Sequence, residues 1–418
     1  MANQTGTTEF KLGVGIIGVN PAWGWAVTAH IPALRALPNY EVRALGATSA
    51  ESARAAGEAF GVDAVFSDPE ELVAQPDVDI VAVTVKVPHH RELVSAALAA
   101  GKIVYCEWPL GRDLDDARAM AEFAAEQGVR TAVGLQARQA PAIEFIKELL
   151  RDGYVGEVLS TTMIGVSVRG DVVVQPNVYM LDGSNGANLL TVAAGHSLDT
   201  LNHVLGEFAD VSALSAIRRP LITAEKTREQ VVKTVVDQVA VIGTLTSGAI
   251  ASIHLREAVA GGTGFLWEIN GTDGTLRITA DAALPEIFPL TVAGARGQGE
   301  PAELAVPASL TGKWPTLSHL EGAPAYNVGR AYAAFAADMA NGTHTVPDFG
   351  DAVRRHEVIE AIQRSAASGE RVKVEPGPSV RAAPPAAPDP ACRSPGTTRR
   401  AGPRLAWRTM PARRHRVT

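Results

Sequence analysis

Gly13-Val14-Gly15-Ile16-Ile17-Gly18-Val19-Asn20-Pro21-Ala22-Trp23-Gly24 decides the fold. An apolar strand ends at Gly18, and a glycine-bearing turn then leads into a helix expected from about Trp25. A pyrophosphate needs close backbone approach and free N–H groups at a helix N-terminus. Gly18 and Asn20 can supply both, with Trp23 and Gly24 completing the turn. The strict G-x-G-x-x-G spacing is absent, because Asn20 holds the second glycine place and the loop is longer. Alone, the motif is of low specificity, and a tight turn without a ligand is the competing reading.

The context on its C-terminal side is more specific. Val14–Gly18, Val42–Leu45, Ile80–Val85, Ile103–Cys106 and Thr131–Leu135 are short Val/Ile-rich runs bounded by Gly, Pro or polar residues, and are predicted strands. Ala50–Phe60, His90–Ala100 and Leu114–Gln127 between them are predicted helices. Strands alternating with helices imply a doubly wound parallel sheet of Rossmann type, an NAD(P)-binding domain placed at 11–136. The second strand ends in Ala47-Thr48-Ser49, without the acid that would take a ribose 2′-hydroxyl. Thr48 and Ser49, with Arg54 nearby, suit a 2′-phosphate, which tips the cofactor towards NADP.

After a helix at Ile143–Asp152 the pattern changes. Val158–Val168, Asp210–Ile217, Gln238–Thr246, Ala249–His254 and Phe265–Gly271 are longer strand candidates, and Asp273-Gly274 is a hairpin signal into Thr275–Thr279. A large, mainly antiparallel open sheet in an α+β domain, 137–376, follows. Two helices, Tyr326–Asn341 and Phe349–Ala367, close it.

Composition sets the outer bounds. The chain has 418 residues, 46% apolar and 20% charged, with net charge −7. That is an ordinary globular profile with no overall attraction for nucleic acid or an anionic membrane. No apolar stretch is long enough for a membrane span, and residues 1–10 form a polar, flexible lead-in without a secretory core. Two cysteines, Cys106 and Cys392, make neither a disulfide framework nor a metal cluster, so no metal and a cytoplasmic location are expected. The segment 377–418 is Pro- and Ala-rich, with nine arginines and one acid, Asp389. It is expected to be a disordered tail, with a basic arm for an acidic partner as the alternative.

Three further blocks carry a family resemblance: Val87-Pro88-His89-His90 with Ala97 to Lys102, Glu107-Trp108-Pro109-Leu110, and Gly195-His196-Ser197-Leu198-Asp199-Thr200-Leu201. With the C-terminal helices, the chain resembles the glucose–fructose oxidoreductase, inositol dehydrogenase and rhizopine catabolism family (Gfo/Idh/MocA) over about residues 12–374. The resemblance implies NAD(P) on the first domain, and a sugar-like ligand and an oligomer interface on the second. A homodimer or homotetramer through the C-terminal sheet follows from it. Within the family, His30-Ile31-Pro32-Ala33, Glu107-Trp108 and Gly134-Leu135-Gln136-Ala137-Arg138 resemble the branch of the fungal galactose-regulon repressor, which binds a dinucleotide and inhibits transcription without catalysis.

The resemblance also assigns roles, and two positions depart from it. Enzymes of the family have lysine where this chain has Trp108, and an acid four places before the histidine, where it has Val192. His196 remains as the proton-handling candidate, its imidazole suited to acid/base work near neutrality. Tyr179 is an alternative acid, though its ordinary pKa of about 10 makes it a poor base. Cofactor contacts are expected from Gly18, Asn20, Trp23, Gly24, Thr48, Ser49, Val85, Pro88, His90, Glu107, Trp108 and Arg138. Glu107 would lie under the nicotinamide ribose. Substrate contacts are expected from Trp108, Arg138, Asn185, Asn188 and His196. Each has a plain structural alternative: Trp108 as filler, His90 as a helix cap, Arg138 as the partner of an acid such as Glu107. Two functions stand side by side: an oxidoreductase acting on a carbinol or keto carbon of a sugar, polyol or derivative, and a catalytically silent NAD(P)-binding regulator.

Overall fold

The computed structural model describes residues 11–168, 170–258 and 262–375. The lead-in 1–10, the tail 377–418 and Cys392 lie outside the described residues. The first sheet contains β1 (Leu12–Ile17), β2 (Tyr40–Gly46), β3 (Ala64–Phe66), β4 (Ile80–Val83), β5 (Ile103–Cys106) and β6 (Thr131–Val133). Its order is β3-β2-β1-β4-β5-β6, and every pair is parallel. The doubly wound sheet is therefore as expected, with one strand more. β3 has only three half-buried residues, too few to register as an apolar run.

Alternation along β1 feeds two cores. Val14 and Ile16 pack with Ile31, Leu34, Tyr332 and Phe335 on one face. Ile17 packs with Val81, Val83, Val94, Leu98 and Leu114 on the other. Each buried aliphatic side chain contributes about 1.5–3 kcal/mol. Helix Ala50–Phe60 starts where Ser49 Oγ accepts the Ser52 N–H and stops at Gly61, whose φ of +59° no branched residue adopts easily. The helix expected from Trp25 begins at Ala26 as a π-turn to His30 and continues as an α-helix over Ile31–Arg35.

The second sheet has nine strands. From one edge they run Ala302–Glu303, Thr291–Arg296, Gly274–Ala280, Phe265–Gly271, Val158–Val168, Ile250–Ala258, Gln238–Leu245, Phe208–Ala216 and Val372–Lys373. Only the pairing of Val158–Val168 with Ile250–Ala258 is parallel. A three-stranded sheet of Val172–Val173, Leu221–Ala224 and Gln230–Val232 stands apart. Helix Phe349–Ser368 packs between strand Phe208–Ala216 and helix Leu114–Gln127, whereas helix Ala325–Asn341 joins the core of the first sheet. None of the described helices is long and apolar enough to cross a membrane.

Candidate active site

The carboxyl ends of β1, β4, β5 and β6 place the turn after Gly18, Val85–His90, Glu107–Trp108 and Gln136–Arg138 along one edge of the first sheet, where an open α/β sheet receives its ligand. Gly18 has φ +108°, and a Cβ there would lie 2.8 Å from Val85 Cγ1 and 3.0 Å from the Thr84 carbonyl carbon. Only glycine lets β1 and β4 approach this closely at the switch point. Gly24, with φ +113°, faces open space. Asn20 Oδ1 accepts the Ala22 N–H at 3.0 Å, so its carboxamide closes the turn, and Trp23 stands half exposed at the tip. Thr48 and Ser49 are exposed, as is Arg54.

His90 is buried, and its imidazole joins two turns. Nδ1 lies 3.0 Å from the Pro109 carbonyl and 3.2 Å from that of Leu110, while Nε2 lies 3.0 Å from that of Val85. Burial lowers its pKa against the pull of these carbonyls and of Glu107. The capping alternative is corrected: the N-cap residue is His89, without a side-chain cap bond. Pro88 is half-buried in the preceding 3₁₀ turn, Val87–His89.

Glu107 is anchored beside Gly134, where a Cβ would meet its carboxylate at 2.6 Å. Its Oε1 lies 2.8 Å from His30 Nε2, and His30 Nδ1 lies 2.8 Å from the Tyr332 hydroxyl. Glu107, His30 and Tyr332 thus form one continuous hydrogen-bonded chain. Tyr105 stacks on Tyr332 at 4.7 Å. The sequence motif His30-Ile31-Pro32-Ala33 carries no sign of this part for His30.

Trp108 is 5% exposed. Its Nε1–H donates to the Thr191 carbonyl at 2.7 Å, and its ring lies 4.8 Å from that of His356. Gly195 is small because of it: a Cβ there would meet Trp108 Nε1 at 2.6 Å. The indole is thus engaged on its N–H and against two neighbours, which supports filling over stacking on sugar or nicotinamide.

Arg138 is likewise spoken for. Its Nε and Nη2 donate to Asp199 Oδ2 and Oδ1 at 2.9 and 2.6 Å, and its Nη1 donates to Asp351 at 3.1 Å. The acid it pairs with is therefore Asp199, not Glu107, and a ligand-binding fork is not on offer. Asp199 also receives Arg355 Nε at 3.4 Å. Burial would raise the Asp199 pKa, but the two arginines hold it below the ordinary carboxylate range. Asp199 is thus a buried ionic hub between Arg138 and Arg355.

His196 is the second residue of the α-helix Gly195–Leu205. A π-turn, Leu190–Ala194, runs into that helix, and Asn188 Oδ1 accepts the Leu190 and Thr191 N–H groups at 2.9 and 3.2 Å. Asn188 is thereby a cap, corrected from a substrate contact at that oxygen. Such π-turns frequently mark functional positions. His196 is 5% exposed, its Nδ1 has no hydrogen-bond partner, and its Nε2 lies 3.7 Å from Glu286 Oε1. Burial lowers the imidazole pKa to about 4, against the opposing pull of Asp199.

Glu286 escaped sequence reasoning. It is 3% exposed, and its Oε2 is without a partner. Burial raises its pKa to about 8, with Glu107 adding to the effect. Its signal was a lone acid in the apolar run Ala282-Ala283-Leu284-Pro285-Glu286-Ile287-Phe288-Pro289. Tyr179 and Asn185 lie on the loop before His196. The Tyr179 ring carries Lys86 Nζ at 4.7 Å, and its carbonyl accepts Asn185 Nδ2 at 2.8 Å. Among the described residues no group of three or more His, Cys, Asp or Glu is arranged to hold a metal.

Residues 12–135 match the oxidoreductase family with NAD-binding Rossmann fold, and residues 141–280 match the C-terminal domain of Gal80p. The chain is 32% identical over 355 residues to the dehydrogenase aclE of Aspergillus oryzae, covering 79% of this chain and 88% of that one. The chain belongs to the Gfo/Idh/MocA oxidoreductase family. Within the family, the fold is similar to a super-repressor mutant of Gal80p from Saccharomyces cerevisiae, with TM-score 0.76 and 25% identity over 87% of this chain and 98% of that one. It is also similar to levoglucosan dehydrogenase in complex with NADH and levoglucosan, with TM-score 0.74 and 23% identity over 87% and 99% of the chains. The relatives of this chain therefore include a named dehydrogenase and a named regulatory protein.

Proposed function

We propose that the chain is an NAD(P)-dependent oxidoreductase acting on the carbinol or keto carbon of a sugar, polyol or sugar derivative, with His196 as the proton-transfer residue. The observation that carries this reading is the unpartnered Nδ1 of a nine-tenths-buried His196. A buried polar atom without a protein partner marks a place that a ligand or water completes. Gly18 supports close approach of a pyrophosphate, and the His30-tethered Glu107 supports a fixed ribose contact. When bound, the nicotinamide supplies the hydride chemistry. Thr48 and Ser49, exposed at the end of β2 without an acid, favour NADP.

The second reading is a silent dinucleotide-binding regulator. The specific observation favouring it is Trp108, buried where the family's lysine would stand. Calorimetry with both dinucleotides, followed by absorbance at the nicotinamide band over a panel of sugars, polyols and sugar acids, separates the two. Turnover abolished in His196→Ala supports the enzyme. Binding without turnover across the panel supports the regulator, and no binding overturns both.

The open face of the second sheet favours a homo-oligomer. Register puts Leu214, Ala240, Ile242, Ile250 and Ser252 on one face, and Leu214, Ile242 and Ile250 are 74%, 58% and 54% exposed. An exposed apolar patch of this kind, with His254 and Asp210 on the same face, suits a second copy of the chain. A reducing cytoplasm suits the buried thiol of Cys106.

A further inference from the structure

His196 is a poor final acceptor for a substrate proton. Its surroundings disfavour the imidazolium, and the lysine and acid that would assist it in the family are replaced by Trp108 and Val192. Glu286 faces its ring at short range. Glu286 Oε1 lies 3.7 Å from His196 Nε2, both side chains are more than nine-tenths buried, and each leaves one polar atom, His196 Nδ1 and Glu286 Oε2, without a partner. Glu286 arrives from the turn after strand Gly274–Ala280, and its backbone carbonyl accepts Asn327 Nδ2 at 3.1 Å. That bond ties it to the helix Ala325–Asn341.

We propose that Glu286 is the proton reservoir for His196: Nδ1 takes the substrate hydroxyl proton while Nε2–H passes its proton to the Glu286 carboxylate. The inference rests on the oxidoreductase reading. The hydroxyl O–H bond breaks and an N–H bond forms at Nδ1. The Nε2–H bond breaks and an O–H bond forms on Glu286, so His196 ends neutral in its other tautomer. The carbinol C–H pair leaves with its hydrogen to the oxidised nicotinamide, and the hydroxyl oxygen becomes a carbonyl. Reduction is the reverse, with the Glu286 proton delivered through His196. Glu286 acts through the histidine and is in that sense a positioning residue.

The charges around the pair agree with a proton that rests on the carboxyl. Glu107, from the turn after β5, opposes a second negative charge. Asp199, on the histidine's own helix, is neutralised by Arg138 and Arg355. His356, from helix Phe349–Ser368, is kept uncharged by burial. With Glu286 raised to about 8 and His196 lowered to about 4, reduction draws on the protonated acid of the neutral range, and oxidation on the carboxylate that forms as pH rises through about 8.

The test has two parts. In the cofactor-free protein, infrared difference spectra between Glu286→Gln and the unsubstituted chain should show the carbonyl band of a protonated carboxylic acid, lost as pH rises through about 8. In turnover, kcat/KM for oxidation should rise with pH through the same range. Glu286→Gln should lose that limb and about a hundredfold in kcat with KM little changed, and Glu286→Asp should restore part of it. Unchanged dinucleotide affinity and thermal unfolding show that the variants fold. If Glu286→Gln does not fold, the Glu286→Asp pH profile and the spectral difference of the unsubstituted chain between about pH 6 and about pH 9 decide. An active chain in which Glu286→Gln keeps the wild-type rate and pH profile, or which lacks the acid band, overturns this proposal alone. A chain that binds NAD(P) and turns over nothing overturns the oxidoreductase reading, and this proposal with it.

Discussion

The indole N–H of Trp108 donates to the carbonyl of Thr191 at 2.7 Å, joining the end of β5 to the π-turn that leads into the His196 helix. The tie replaces a mobile cation by a rigid wedge. It fixes where His196 sits while removing the lysine that would share its work.

The wedge and its socket should be energetically coupled. Gly195→Ala puts a methyl group 2.6–2.9 Å from the indole, an overpacking expected to cost about 1–3 kcal/mol. Trp108→Ala opens a cavity and should cost about 3–5 kcal/mol. In the double variant the methyl occupies part of that cavity, so urea denaturation should give a loss smaller than the sum by about 1 kcal/mol or more. Strict additivity would mean that the two side chains do not meet.

The first sheet was legible because β1, β4 and β5 are apolar runs and the helices Ala50–Phe60 and Leu114–Gln127 carry their own stop signals, Gly61 and Gly128. Strand β3 was not, since three half-buried residues at a sheet edge leave no period to detect. The site was legible only where a motif named it. His196 and Glu107 lie in such motifs. Glu286 reaches the site from one later segment, and Asp351 and His356 from another, the helix Phe349–Ser368, and long-range placement leaves no local pattern in the chain. Arg138 shows the opposite failure: a cation after a strand looked like a ligand contact, and a buried partner 61 residues away had taken it.

Arg138 should therefore behave as a structural ion. Removing it leaves Asp199 and Asp351 short of a buried counter-charge, an expected loss of about 3–5 kcal/mol. Arg138→Lys should recover little, because an ammonium cannot reproduce the two-pronged contact with Asp199. Denaturant midpoints for both variants, set beside dinucleotide affinity, check this. A variant of unchanged stability but weakened ligand binding would return Arg138 to the ligand site.

The sheet face offers a cleaner separation of assembly from folding. Leu214 and Ile242 project from neighbouring strands and bury little within the subunit. A double change to lysine should leave the monomer's stability within about 0.5 kcal/mol, as surface substitutions usually do. In analytical ultracentrifugation the unsubstituted chain should sediment as a dimer or tetramer, and the double variant as a monomer. A monomeric parent chain at micromolar concentration would remove the oligomer proposal.

Buried titratable groups of opposite sign should give the protein a stability maximum near pH 6.5. His196 and His356, with pKa values lowered to about 4 and about 3, stay neutral in the folded chain while their unfolded counterparts protonate below about 6.5. Their contribution is present above that pH and is lost as pH falls towards 4. His203, lowered to about 3, adds to the same arm. Glu286 works the other way. Raised to about 8, it keeps its proton in the folded chain while the unfolded carboxyl ionises above about 4.5, so its contribution is lost as pH rises to 8. Each group supplies a slope of at most about 1.4 kcal/mol per pH unit. Three histidines outweigh one carboxyl on the acid side, and Glu286 acts alone on the alkaline side. Urea denaturation at about pH 5, 6.5 and 8 should trace both arms. His356→Phe, which keeps a ring beside Trp108, should make the acid arm shallower, and Glu286→Gln should flatten the alkaline arm. An alkaline arm that survives Glu286→Gln would place its origin in some other group and leave Glu286 ionised at neutral pH.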